Sequence, residues 1–211
     1  MARKVLFILT SLALPSLLLV TVESGIAQAA RTNPVLLGGV TCNAANGVWR
    51  GKVVFAPPLK NGGTANVEKI KVAAKLGSTT SPCLTFAGTP EIGAIVGKLI
   101  INDAGTANNC ATIFSGAALP APVAPSKFKL HWLAPAGTPT TWQPPGPFVV
   151  VGAAAMNNIT INGATVTGSF SPYAAPTATL SDANWAAAVP AGCASAAGLR
   201  VLTLSTSSGT W

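Results

Sequence analysis

Apolar and polar side chains alternate twice between Val48 and Leu76. In the first run Trp49, Val53 and Phe55 fall on one face, and Arg50 and Lys52 on the other. In the second, starting at Asn66, Ile70, Val72, Ala74 and Leu76 oppose Lys69, Lys71 and Lys75. Period two marks a half-buried strand. Pro57-Pro58-Leu59-Lys60-Asn61-Gly62-Gly63, which separates the runs, is a strong turn signal, so the pair predicts a hairpin. The alternation returns where Phe128, Leu130 and Trp132 oppose Lys127, Lys129 and His131. Ile92 to Ile101 is nearly continuous in apolar residues, as in a central strand, with Gly93 and Gly97 allowing close backbone approach. Shorter runs at 111–115, 148–152, 158–161, 164–170 and 199–204 complete the strands, and residues 31–40 lead in as an edge strand. Asn162-Gly163 reads as a two-residue hairpin. A single short helix is predicted, capped by Ser181-Asp182, running through Trp185 to Val189 and stopped by Pro190 and Gly192. Two Pro-rich stretches, 120–125 and 135–147, read as extended loops. The sum is an all-β domain, a two-sheet antiparallel β-sandwich, with a closed β-barrel as the architectural alternative.

The first thirty residues follow another pattern. Arg3 and Lys4 precede an apolar run from Val5 to Val20, and small residues lead to Ala27-Gln28-Ala29. A basic start, an apolar middle and an Ala-x-Ala end predict a secretory signal peptide over 1–29 and a single secreted β domain over 30–211. The competing anchor helix would need about 20 apolar residues, and this run is interrupted by Ser11, Pro15 and Ser16. No other stretch is long and apolar enough to span a bilayer, so the mature chain is expected to carry no transmembrane segment. The expected location is extracellular or in the cell envelope. The last residues, Ser207-Ser208-Gly209-Thr210-Trp211, do not read as a sorting tail, so the product is expected to be free or held by non-covalent contacts.

Export changes the meaning of the cysteines. Cys42, Cys83, Cys110 and Cys193 form an even set in an oxidising compartment and predict two disulfides, with three possible connectivities. Pairing Cys42 with Cys83 and Cys110 with Cys193 would staple each half of the chain, contributing roughly 4 to 4.5 kcal/mol per bridge on the loop-entropy account. A zinc site fails on spacing, since no C-x2–4-C pair is present and the one histidine is remote in sequence. No metal or cofactor is expected.

Composition narrows the chemistry. Only 9% of residues are charged and 49% are hydrophobic, the opposite of a disordered chain. Thirteen basic residues against five acidic give a formal charge of +8. Basic density is too thin, and a recognised module is lacking, for nucleic-acid binding; anionic envelope polymers or glycans are the expected partners. Serine-protease chemistry would have to use His131, which lies in a strand without a G-x-S-x-G elbow, and H-E-x-x-H is absent. The acids after residue 29 are Glu68, Glu91, Asp103 and Asp182. A glycosidase pair among them is conceivable but unmarked, and Glu68 is expected to neutralise neighbouring lysines. Asn102-Asp103 resembles a turn, not a calcium loop. No catalytic residue is assigned. The Asn158-Ile159-Thr160 sequon has meaning only in a eukaryotic secretory pathway.

The hairpin carries the binding candidates. A register that keeps its apolar sets together also gathers Arg50 and Lys52 across from, or diagonal to, Lys69 and Lys71. Like charges so placed cost a few tenths of a kcal/mol, and a face that costs stability is a candidate anion site. The plainer alternative is a solvated face of splayed lysines that discourages edge pairing. Trp142, in its Pro-rich loop, either stacks on a sugar ring or folds back over the core, whereas Trp49 and Trp132 alternate with charges and belong to the core.

Thr41-Cys42, Gly51-x-Val53-x-Phe55-x-Pro57-Pro58-Leu59 and Pro82-Cys83, followed by Asn109-Cys110, the Trp132 strand, Thr167-Gly168-Ser169-Phe170, Gly192-Cys193 and Gly198-Leu199, resemble the layout of a family of small secreted actinobacterial proteins. The likeness covers most of 41–205. It implies a secreted four-cysteine β domain and brings no catalytic residues with it; the lysine-rich hairpin and the Pro/Trp stretch depart from the family's looser Thr-rich pattern. The function expected is a non-enzymatic surface-binding module of the envelope, with a small hydrolase of envelope polymers or a passive structural component as the alternatives.

Overall fold

A computed structural model describes residues 38–211, apart from 44, 46, 47, 103–107, 134–138 and 171–175. The signal peptide expected over 1–29, the lead-in before residue 38, Asp103 and part of the second Pro-rich stretch lie outside the described residues. The strands are β1 (Val40–Cys42), β2 (Trp49–Leu59), β3 (Val67–Leu76), β4 (Cys83–Thr85), β5 (Pro90–Glu91), β6 (Gly93–Asn102), β7 (Lys127–Trp132), β8 (Thr140–Gly152), β9 (Asn158–Thr167), β10 (Thr177–Ser181), β11 (Leu199–Leu204) and β12 (Ser208–Thr210). Helix α1 (Cys110–Ile113) precedes β7, and α2 (Trp185–Ala194) precedes β11. Hydrogen-bonded neighbours run in the order β11-β2-β3-β6-β7-β8-β9-β10-β12-β1-β4-β5, every pairing antiparallel.

This ribbon folds on itself into two seven-stranded sheets that share β8 and β9, an open sandwich and not a closed barrel. The fold line is visible in the register: Thr141 to Gln143 of β8 face Thr165 to Thr167 of β9, and pairing resumes only at Phe148 with Gly163. Asn162-Gly163 is therefore not a hairpin turn. Gly163, at φ 79°, lets β9 bend from one sheet into the next, a conformation glycine reaches without the Cβ clash. The Pro-rich stretch likewise contributes β8 from Thr140 onward, where a loop was expected.

Strict alternation sets which face is buried. In β3 every second residue from Glu68 to Leu76 is buried, and in β7 Phe128, Leu130 and Trp132 are buried. Across the sandwich, Trp49 of β2 stacks on Trp211 at 5.6 Å between ring centroids, and Trp211 meets Trp132 and Trp142 edge-on at 6.4 Å. Gly93 and Gly97 do permit close approach: a Cβ at Gly97 would lie 2.2 Å from the Lys127 carbonyl oxygen, and one at Gly93 2.7 Å from that of His131. The rings of Phe128 and Trp132 occupy the space so left.

Both disulfides have the expected pairing. Cys42–Cys83 bridges β1 and β4 at a Cα separation of 4.4 Å, the spacing of directly opposed residues without hydrogen bonds. Cys110–Cys193 joins α1 to α2 across 6.2 Å. Three local expectations change. Residues 111–115 are not a strand, because the Asn109 side chain accepts from the Ala111 amide and starts a helical turn. Helix α2 continues past Pro190 to Ala194, where buried Val189 and the Cys193 bridge hold its last turn. Asp182 takes no part as N-cap of α2; Asn184 occupies that place, and Asp182 Oδ1 accepts from its amide. The Trp185 indole donates to the carbonyl of Thr203 in edge strand β11, which occupies a group otherwise open to a foreign strand.

Candidate cationic sheet face

The hairpin pairs Arg50 with Lys75, Lys52 with Ala73, Val54 with Lys71 and Ala56 with Lys69. Arg50 thus lies opposite Lys75 and not beside Lys69 or Lys71, while Lys52 is diagonal to both Lys71 and Lys75. The same face continues over β6 and β7: Lys71 faces Lys98, which faces Lys127, and Ala73 faces Val96, which faces Lys129. Neighbouring strands lie about 4.8 Å apart, so Lys71, Lys98 and Lys127 form a row of three cations on successive strands. Their β7 and β6 members could not be placed beside the hairpin from sequence alone, because β3–β6–β7 adjacency is a matter of topology.

Arg50, Lys52, Lys69, Lys71, Lys75, Lys98, Lys127 and Lys129 all project from this outer face. No described acid joins them. Glu68 shares the parity of Ile70 and is fully buried on the inner face, so it does not neutralise the lysines. Its Oε1 accepts from the Ala56 amide, and Oε2 has no hydrogen-bond partner. Burial pushes its carboxyl up to about 8, against the opposing pull of the Ala56 and Lys69 amides. The signal for this was present in the sequence, in the strand phase of residue 68. Glu91 of β5 is also buried, and desolvation pushes it up to about 7. Asp182 is held below the usual carboxylate range, first by the Ser205 hydroxyl and then by the Asn184 amide.

The cations surround an apolar floor. A depression of about 480 Å³ lies over Val54, Ala73 and Val96, with walls formed by Lys52, Lys71, Lys98, Lys127 and Lys129. Val96 is 54% exposed there. Lysine stems are apolar and their ammonium groups reach outward, so the hollow is greasy at the base and positive at the rim.

Trp142 is not a surface group. It is fully buried, packs against Phe128 at 5.6 Å and Phe148 at 5.2 Å, and donates its indole N–H to the Gly163 carbonyl. Being in β8 and not in a loop, it follows strand alternation into the core. All five tryptophans are buried. His131 is exposed on the cationic face opposite Ala94. The three described acids sit on β3, on β5 and before α2, and no group of three or more metal-ligating side chains forms among the described residues.

The opposite outer face differs in kind. On β1, β9, β10 and β12 hydroxyls pair across strands, Thr41 with Thr210 and Thr160 with Thr179, each at 3.3 Å, and Thr177 donates to Asn162. None of these four strands contains a charged residue. No helix among the described residues is long and apolar enough to cross a membrane. No protein-family model matches the chain, and no match was found among curated proteins or solved structures.

Proposed function

We propose that this protein is an exported, non-enzymatic module that binds anionic components of a cell envelope through the outer face of β2, β3, β6 and β7. The observation that carries this reading is the segregation of charge. Eight cations occupy one sheet face with no described acid among them, while the other sheet presents neutral hydroxyls. Directly opposed like charges are unfavourable, and binding a polyanion relieves that repulsion. Two disulfides are compatible with an oxidising compartment, and the basic-apolar-small order of residues 1–29 supports export.

Retention on phosphocellulose tests the reading. The protein is expected to bind at low salt and elute as ionic strength rises, since exposed charges are screened over about 10 Å at 0.1 M. A Lys71→Glu/Lys98→Glu variant, folded by circular dichroism, is expected to elute at clearly lower salt. Equal retention of the variant and the parent would remove the cationic face as the binding surface.

A further inference from the structure

The hollow over Val54, Ala73 and Val96 narrows the ligand class, and this step rests on the anion-binding reading of the same face. A purely ionic polymer would meet the lysine rim and leave the floor wet, with Val96 still 54% exposed. The floor supplies no hydrogen-bonding side chain, so its complement is an apolar body. The rim supplies ammonium groups alone, so its complement is an acid. A volume of about 480 Å³ falls among small-molecule sites, which are mostly apolar with a few placed polar groups. A second copy docked face to face does not fit, because apposing two such faces would set lysines against lysines without a described acid on either side. We infer that the occupant is a single-chain acidic amphiphile, its hydrocarbon lying over Val54, Ala73 and Val96 and its acid group held by the row Lys71, Lys98 and Lys127.

The geometry separates the two contributions by strand position. The acid-binding row crosses β3, β6 and β7 at one register level, with the uncharged Val54 of β2 at its end; Ala73 and Val96 lie at the adjacent level, between Lys52 and Lys129, so every floor position is a residue other than a row lysine. Hydrocarbon contact and charge contact can therefore be removed independently.

Dodecyl phosphate, kept below its micelle concentration, is the probe, with dodecyl maltoside and inorganic phosphate as controls for chain and charge. Binding is followed by calorimetry and by amide NMR shifts. Dodecyl phosphate is expected to bind at least tenfold more tightly than either control, with the largest shifts at Val54, Ala73 and Val96. Val54→Thr/Val96→Thr preserves strand propensity and charge while adding hydroxyls to the floor. It is expected to weaken dodecyl phosphate about tenfold and to leave the phosphocellulose elution point unchanged. Dodecyl phosphate no tighter than inorganic phosphate, or an unaffected double-threonine variant, would overturn the amphiphile while phosphocellulose retention kept the cationic face standing. Loss of phosphocellulose retention as well would overturn both readings.

Discussion

Lys98 stands between Lys71 and Lys127 on adjacent strands, and its charge is opposed on both sides. Lys98→Glu converts two like-charge pairs into two attractive ones, each contributing a few tenths of a kcal/mol. The variant is expected to be more stable by about 0.5 to 1 kcal/mol in urea denaturation while holding anions less well. Unchanged stability would mean that the side chains splay far enough to avoid one another. Glu68 gives a second residue-scale outcome. Its carboxyl is raised to about 8 in the folded protein, so between its ordinary value and pH 8 the native state holds a proton that the unfolded chain releases. Stability is then fully present below about pH 4.5 and falls as pH rises toward 8. Glu91, raised to about 7, adds to the same slope, while Asp182, lowered, contributes stability that is lost on acidification below the ordinary aspartate range. Glu68→Gln keeps an acceptor for the Ala56 amide and removes the titration. It is expected to flatten the decline between pH 5 and 8 by an amount of order a few kcal/mol, read from urea midpoints across that range.

At the scale of elements, α1 is a single turn held from several directions. Asn109 caps it, Cys110 bonds to Cys193 of α2, and the Cys110 amide donates to the Lys60 carbonyl in the turn after β2. Buried Asn108, next to it, accepts from the amides of Thr64 and Ala65. The bridge closes a separation of 83 residues, and its removal by Cys110→Ser/Cys193→Ser is expected to cost up to roughly 4.5 kcal/mol, measured by urea unfolding against the parent. The strands with strict alternation, β2, β3 and β7, were legible in the sequence because period two needs no knowledge of partners. The disulfide pairing was legible because it divides the chain into halves. What escaped was set by context. Gly163 carries a turn signal, yet pairing with Phe148 makes it the bend of a longer strand. Residues 111–113 have strand-like composition, but the Asn109 side chain and the bridge start a helix. Trp142 was hidden by its prolines, which mark a loop locally while β7 and β9 recruit the segment into a sheet. The hairpin lysines were visible; the row through Lys98 and Lys127 depends on strand order, which no local pattern encodes.

At the scale of the molecule, the charges of the described strands are sorted by sheet: lysines on one outer surface, hydroxyls on the other, and aromatic rings between. Such sorting gives the protein a directional field, so an anionic surface would be met lysine face first. The shared strands have a further effect. Because β8 and β9 belong to both sheets, neither layer can peel away while the other stays intact; pulling one open drags the backbone of its neighbour through the fold line. Hydrogen exchange should therefore show one cooperative unit, with amides of Ile70 and Leu130 on one side and of Ile161 and Leu180 on the other released by the same opening. A layer that exchanged well ahead of the other would show that the crease acts as a hinge, and that the two halves melt separately.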